Sequence, residues 1–171
     1  MSDDSGIFSS HLQCLTFKVD DAEYSVDIMS VREIKGWVDC TRLPNMPDYL
    51  RGVMNLRGAI IPIFDLRCRF GEGLTSATPK HVVIILATRD RNIGVLVDAV
   101  SDIITVEQSA LKPAPRDGSS DVDERFVDGL IDHDSRMIVH LNIENLFHEH
   151  TLVMPPAGAM ADLSFASPLH A

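Results

Sequence analysis

Residues 52–66, GVMNLRGAIIPIFDL, place two apolar runs on either side of the tetrapeptide Asn55-Leu56-Arg57-Gly58. Short apolar runs bounded by turn residues read as strands, so Arg57-Gly58 reads as the turn of a β-hairpin. An arginine among so many apolar side chains needs a partner or a route to water. Pro62 has no N–H to give a sheet ladder, so its strand is expected to be an edge or a bulged strand at that point. The next residues, DLRCRFG, predict a helical turn that Asp65 caps and Gly71 stops.

Upstream, LTFKV (15–19) passes through DDAE into YSVDI (24–28), a predicted hairpin with Leu15, Phe17 and Val19 inward and one wet face. VREI (31–34) then enters a loop punctuated by Pro44 and Pro47, and a polar linker (72–80) separates all of this from the apolar run HVVIILAT. The two halves repeat. At an offset of 69, Cys14-Leu15-Thr16-Phe17 falls on Val83-Ile84-Ile85-Leu86, and residues 24–34 fall on 93–103. After an insertion that includes PAPRDGSSD, an offset of 77 puts Tyr49 on Phe126, Gly52 on Gly129 and DLRCRF on NIENLF. Each copy, about 12–71 and 81–148, is the size of a small SH3-like barrel. The expected fold is mainly β, with two barrels packed into one domain and exchange of strands between them left open. The termini, 1–11 and 149–171, are expected to be flexible, the latter for its Ala/Ser/Pro-rich composition.

Of 171 residues 45% are apolar, enough for a real core, and the formal charge is -10. That charge disfavours nucleic acids and anionic membrane surfaces, whose phosphates require clustered Lys and Arg. No apolar run approaches the roughly 20 residues of a membrane span, and the acidic start lacks the pattern of a secretory signal. The cytoplasm is therefore the expected location. Cys14, Cys40 and Cys68 are odd in number and form no CxxC pair, which predicts reduced, mostly buried thiols.

Neither GxGxxG nor GxxxxGK[ST] occurs, so no phosphate cradle is expected. The closest histidine pair, in HEH (148–150), has the wrong spacing for a metal site on a helix. No nucleophile elbow is present, and the cysteines lie in core-like runs. No catalytic residue, metal ligand or cofactor is predicted. The interior charges Glu33 and Arg57 allow two readings: each points outward from its strand, or the two meet in a recognition patch with Val31 and Gly52. The second copy places DHDS where the first has NLRG, so the hairpin is general to the repeat and Arg57 is special to the first copy.

The run EYSVDIMSVREIKG, then TRLPNMPDYLRGVMNLRGAIIPIFDLRCRFG, VVIIL, GVLVDAVSDI and LKPAP, closely resembles the CheW family of chemotaxis coupling proteins over residues 12–148. The resemblance implies a non-enzymatic scaffold of two intertwined five-stranded SH3-like barrels around a shared apolar core, monomeric when free and without a cofactor. Its implied partners are the regulatory domain of a CheA-type histidine kinase and the cytoplasmic tip of methyl-accepting chemoreceptors. By position, the implied receptor-facing residues are Val31, Glu33, Gly52, Arg57 and Ile103, with Val82 and Val83 near the apolar groove. The kinase-facing surface is left unplaced. Two alternatives stay open: a coupling protein of a pilus-type or other chemosensory pathway, and a ligand-binding or enzymatic barrel using the groove between its halves.

Overall fold

The computed structural model describes residues 10–113 and 124–146. The strands are β1 (His11–Val19), β2 (Ala22–Asp27), β3 (Val31–Gly36), β4 (Leu50–Leu56), β5 (Ala59–Asp65), β6 (Val82–Ala87), β7 (Asn92–Val97), β8 (Ala99–Glu107), β9 (Leu111–Lys112), β10 (Val127–His133) and β11 (Arg136–Leu141). Single helical turns, α1 (Leu66–Arg69) and α2 (Ile143–Leu146), follow β5 and β11. The predicted tail and HEH triplet lie outside the described residues.

The 69 and 77 offsets reappear as structure. β1, β2 and β3 correspond to β6, β7 and β8, while β4, β5 and α1 correspond to β10, β11 and α2. Even the caps correspond: Asp65 accepts a hydrogen bond from the Cys68 amide, and Asn142 accepts one from the Asn145 amide, each holding an otherwise unpaired N–H of its helical turn. The β4–β5 turn consists of Arg57 (φ 52°) and Gly58 (φ 87°), both left-handed as a two-residue turn requires, and the Asn55 side chain accepts from the Gly58 amide.

Strand order shows that the copies are not separate units. The six-stranded sheet runs β8-β1-β2-β11-β10-β9, and the five-stranded sheet runs β3-β6-β7-β5-β4. Each sheet thus takes a hairpin from one repeat and its other strands from the other repeat. The borrowed hairpin joins its host through a parallel pair, β2 with β11 in one sheet and β7 with β5 in the other. The two-residue β9 makes the first barrel six-stranded, one strand more than expected. The five-stranded sheet has a single bridge, Thr41 to Val53, beside β4.

Each sheet curls around a private apolar core and lays its other face on a common one. Cys14, Ile104, Val106, Ile131 and Ile138 fill the six-stranded barrel; Ile61, Ile63, Val83, Ile85 and Leu96 fill the five-stranded one. Leu15, Phe17, Tyr24, Ile84, Leu86, Phe64 and others from both sheets form the shared core. Complete burial of one such Leu, Ile or Phe contributes roughly 1.5–3 kcal/mol, so the shared core binds the barrels into one domain. Arg69 marks the junction, stacked on Tyr49 and Phe126 at 4.7 and 4.5 Å while its Nε donates to the Leu146 carbonyl.

One expectation needs correction and another a limit. The β1–β2 hairpin has no wet face over its centre, because Cys14, Thr16 and Ser25 are buried opposite Leu15, Phe17 and Val26. The face that alternation assigned to solvent meets β8, β10 and β11 from the other repeat. The expectation for Pro62 holds only locally: β4 and β7 flank β5 as a whole, but β7 pairs only with residues 63–65, so at Pro62 the strand has β4 alone beside it.

Candidate functional site

β3 and β4 are the two ends of the five-stranded sheet, and curling brings those ends together. The chain leaving β3 bonds to β4, with Thr41 and Val53 exchanging N–H···O=C bonds of 2.9 and 2.7 Å. Trp37, just past β3, packs under the Arg51 guanidinium at 5.3 Å. On the outside of this closure Glu33 of β3 meets Arg57 of the β4–β5 turn. Arg57 Nη1 donates to Glu33 Oε2 at 2.8 Å and Nη2 donates to Oε1 at 3.0 Å, a bidentate fork. The two charges both point outward and also meet.

The pair is open to water: the side chains of Arg57 and Glu33 are 74% and 25% exposed. The Arg57 guanidinium holds the Glu33 carboxyl below the usual carboxylate range, and Glu33 in turn raises Arg57. An exposed ion pair adds little to stability. What it supplies is geometry, a planar cation and its carboxylate held together at the rim of a closed barrel.

The other predicted site residues divide by burial. Val31 lies at the start of β3 and Val82 at the start of β6, both half-buried and both packed against the shared core. Val83 is 2% exposed and belongs to the private core of the same barrel. Gly52 is buried on β4 and presents no side chain of its own. Ile103 is 55% exposed on β8, an end strand of the other sheet. Its repeat partner Ile34, beside Glu33, is also exposed and was missed; the offset of 69 that paired them carried the signal.

Beneath the hairpin lies a polar anchor that sequence reading saw only as a cap. Asp65 is fully buried, accepting from the Thr75 amide at 2.8 Å, the Thr75 hydroxyl at 2.7 Å and the Cys68 amide, with Arg51 Nη1 at 3.4 Å. Arg51 also donates to the Thr75 carbonyl at 2.9 Å. This network ties β4, the end of β5 and the linker to one another. Asp98, which follows β7, accepts from the Asp20 amide at 2.7 Å and lies 3.5 Å from His81.

Two clefts open on the described surface. One of about 540 Å³ is lined only by residues between Trp37 and Ser76, so it lies within one barrel, and its Arg51 is committed to Asp65 and Thr75. One of about 790 Å³ does span the barrels, between Val19–Tyr24 and Phe70–Glu72, with a rim of Asp20, Asp21 and Glu72. Of these, Asp20 is held by Arg67 at 3.0 Å. The thiols suit packing better than nucleophilic attack, because burial raises all three and pushes Cys14 up to about 11. Among the described residues no group of three or more metal-ligating side chains converges, and no helix is long and apolar enough to cross a membrane.

Two intertwined barrels, an exposed ion pair and exposed isoleucines on end strands give the chain an outer surface suited to contact with another protein. The sequence profile of the family described as CheW-like domain matches residues 13–151. The chain is 44% identical over 137 residues to the probable chemotaxis protein CheW of Rhizobium etli, covering 80% of this chain and 88% of that one. It is 42% identical over 135 residues to the chemotaxis protein CheW of Rhizobium meliloti, covering 79% and 86%. Among solved structures, the scaffolding protein TtCheW of Thermoanaerobacter tengcongensis superposes with a TM-score of 0.73 at 32% identity, covering 80% of this chain and 87% of that one. The chain belongs to the CheW family.

Proposed function

We propose that this protein is a non-enzymatic adaptor of chemotaxis that couples transmembrane chemoreceptors to a CheA-type histidine kinase, acting in the cytoplasm at receptor arrays. The observation that carries this reading is the bidentate Glu33–Arg57 pair, preorganised and exposed at a barrel seam in a chain of the CheW family. A preformed pair adds affinity by sparing the ordering cost that two free side chains would incur on binding. Glu33, Arg57 and Ile103 touch the receptor tip, Val31 and Val82 flank them, and Gly52 and Val83 shape that surface from beneath. Coupling then follows from differential affinity of the adaptor for alternative receptor or kinase states.

Arg57→Asp tests the site. It replaces the fork by a like-charge pair, and because both groups are solvated the circular dichroism spectrum and melting temperature are expected to stay near wild type. Receptor-dependent kinase activation is expected to disappear. An unfolded variant would make Arg57 structural, and one that activates the kinase normally would remove it from the contact surface.

A further inference from the structure

Within the private cores the repeat sets two trios in equivalent places. Cys14, Ser25 and His140 of the six-stranded barrel stand where Val83, Gly94 and Ile63 stand in the five-stranded one. Both trios lie at the parallel seam of a borrowed hairpin, as Ser25 pairs with His140 and Gly94 with Ile63. Their chemistry differs. Ile63 covers Gly94 so closely that an added Cβ would overlap its Cδ1 and sit 2.9 Å from Val83 Cγ1. That seam is closed by apolar contact. In the other, His140 Nδ1 lies 2.8 Å from Ser25 Oγ and 3.8 Å from Cys14 Sγ, with Cys14 and Ser25 fully buried and His140 only 5% exposed.

We propose that His140 is a proton-sensitive latch on the borrowed β1–β2 hairpin: neutral, it holds β2 to β11; protonated, it weakens that seam while the apolar β5–β7 seam stays closed. A neutral imidazole matches one hydroxyl partner, since one ring nitrogen donates and the other accepts. An imidazolium donates from both nitrogens and needs acceptors for both in an apolar interior.

The surrounding charges do not rescue it. Asp27 on β2 and Asp128 on β10 favour the cation, but burial outweighs them and keeps the imidazole below its ordinary pKa. Glu23 on β2 is held by Arg136 of β11 at 2.9 Å, and Asp128 accepts from Asn142. Asp132 is at the exposed end of β10, where His133 lies 3.4 Å from Asp134. From β1 comes Cys14, a thiol that stays neutral at physiological pH.

The sign follows from the direction of the shift. Above the ordinary histidine pKa, closed and opened seams are both neutral and the latch has full strength. Below it, the opened state takes up a proton that the closed state does not, so opening grows up to tenfold per pH unit, until the lower folded pKa is reached. Because β1 pairs with β8 on its other side, through Leu15 and Ile103, the loosening is expected to spread to β8.

Hydrogen exchange on the full chain at pH 7.5 and 5.5, corrected for intrinsic rates, tests the latch. Protection at β2 and β11 is expected to fall by up to about tenfold more than protection at β5 and β7. The double variant Ser25→Gly/His140→Ile, which copies the apolar seam, is expected to lose that difference. An equal fall at both seams, or the same difference in the variant, overturns the proposal. Should the variant not fold, NMR titration of wild-type His140 decides: a pKa below about 6.5 supports the latch, and one at or above that value overturns it.

Discussion

Gly52→Ala is expected to cost about 3 kcal/mol or more and to lower the melting temperature by roughly 10 °C. The residue has φ of 148°, a conformation open mainly to glycine. A Cβ there would overlap the carbonyl oxygen of Thr41 and lie 2.7 Å from its carbonyl carbon. That carbonyl receives the Val53 amide, so the overlap falls on the bond that closes the five-stranded barrel. Gly129, its repeat partner, is the internal control. A Cβ at Gly129 would lie 2.6 Å from the Lys112 oxygen, but its φ is not left-handed, so the close approach is not joined by backbone strain, and the facing strand is the two-residue β9. Thermal melts of Gly52→Ala and Gly129→Ala should therefore differ, with Gly52→Ala the lower by several degrees. Equal melting temperatures would mean that barrel closure at Thr41 carries no special strain.

Asp65→Ala is expected to destabilise the domain by about 3–5 kcal/mol. The carboxylate is fully buried and accepts both Thr75 donors and the Cys68 amide, and its loss leaves those donors without their acceptor and Arg51 with the Thr75 carbonyl alone. Asp65→Asn keeps the shape but removes the charge and turns one acceptor into a donor facing donors. It is expected to recover only part of the loss. Denaturant unfolding of the two variants measures this directly; wild-type stability in Asp65→Ala would show that the linker, not the carboxylate, positions β4.

Much of this architecture was legible because it rests on local chemistry. Arg57-Gly58 declared a two-residue turn, Asp65 declared a cap, and the offsets of 69 and 77 located corresponding strands before any pairing was known. What escaped notice depends on contacts between distant residues. The alternation of β1 promised one wet face, yet Cys14 and Thr16 are buried by β8, β10 and β11, strands more than 80 residues away in sequence. Pro62 pointed to an edge, and at that residue β4 alone flanks β5, but the sequence does not reveal that β7 pairs with the same strand from Ile63 onward. The candidate site was partly legible. Residue type and position marked Glu33 and Arg57, but their contact requires the first and last strands of a sheet to meet, which is a property of closure. Val83 shows the opposite limit: its place in the resemblance suggested a groove, while its inward face puts it in a private core.

In the proposed coupling one small chain bridges two partners. Its most direct test is assembly of the purified full-length chain with a CheA-type kinase and receptor cytoplasmic fragments from the same organism, read by size-exclusion chromatography with mass determination. The adaptor reading predicts a stoichiometric complex with the kinase and a larger one when receptor fragments are added, with Arg57→Asp unable to bring in the receptor. A wild-type chain that elutes alone in every mixture would contradict it.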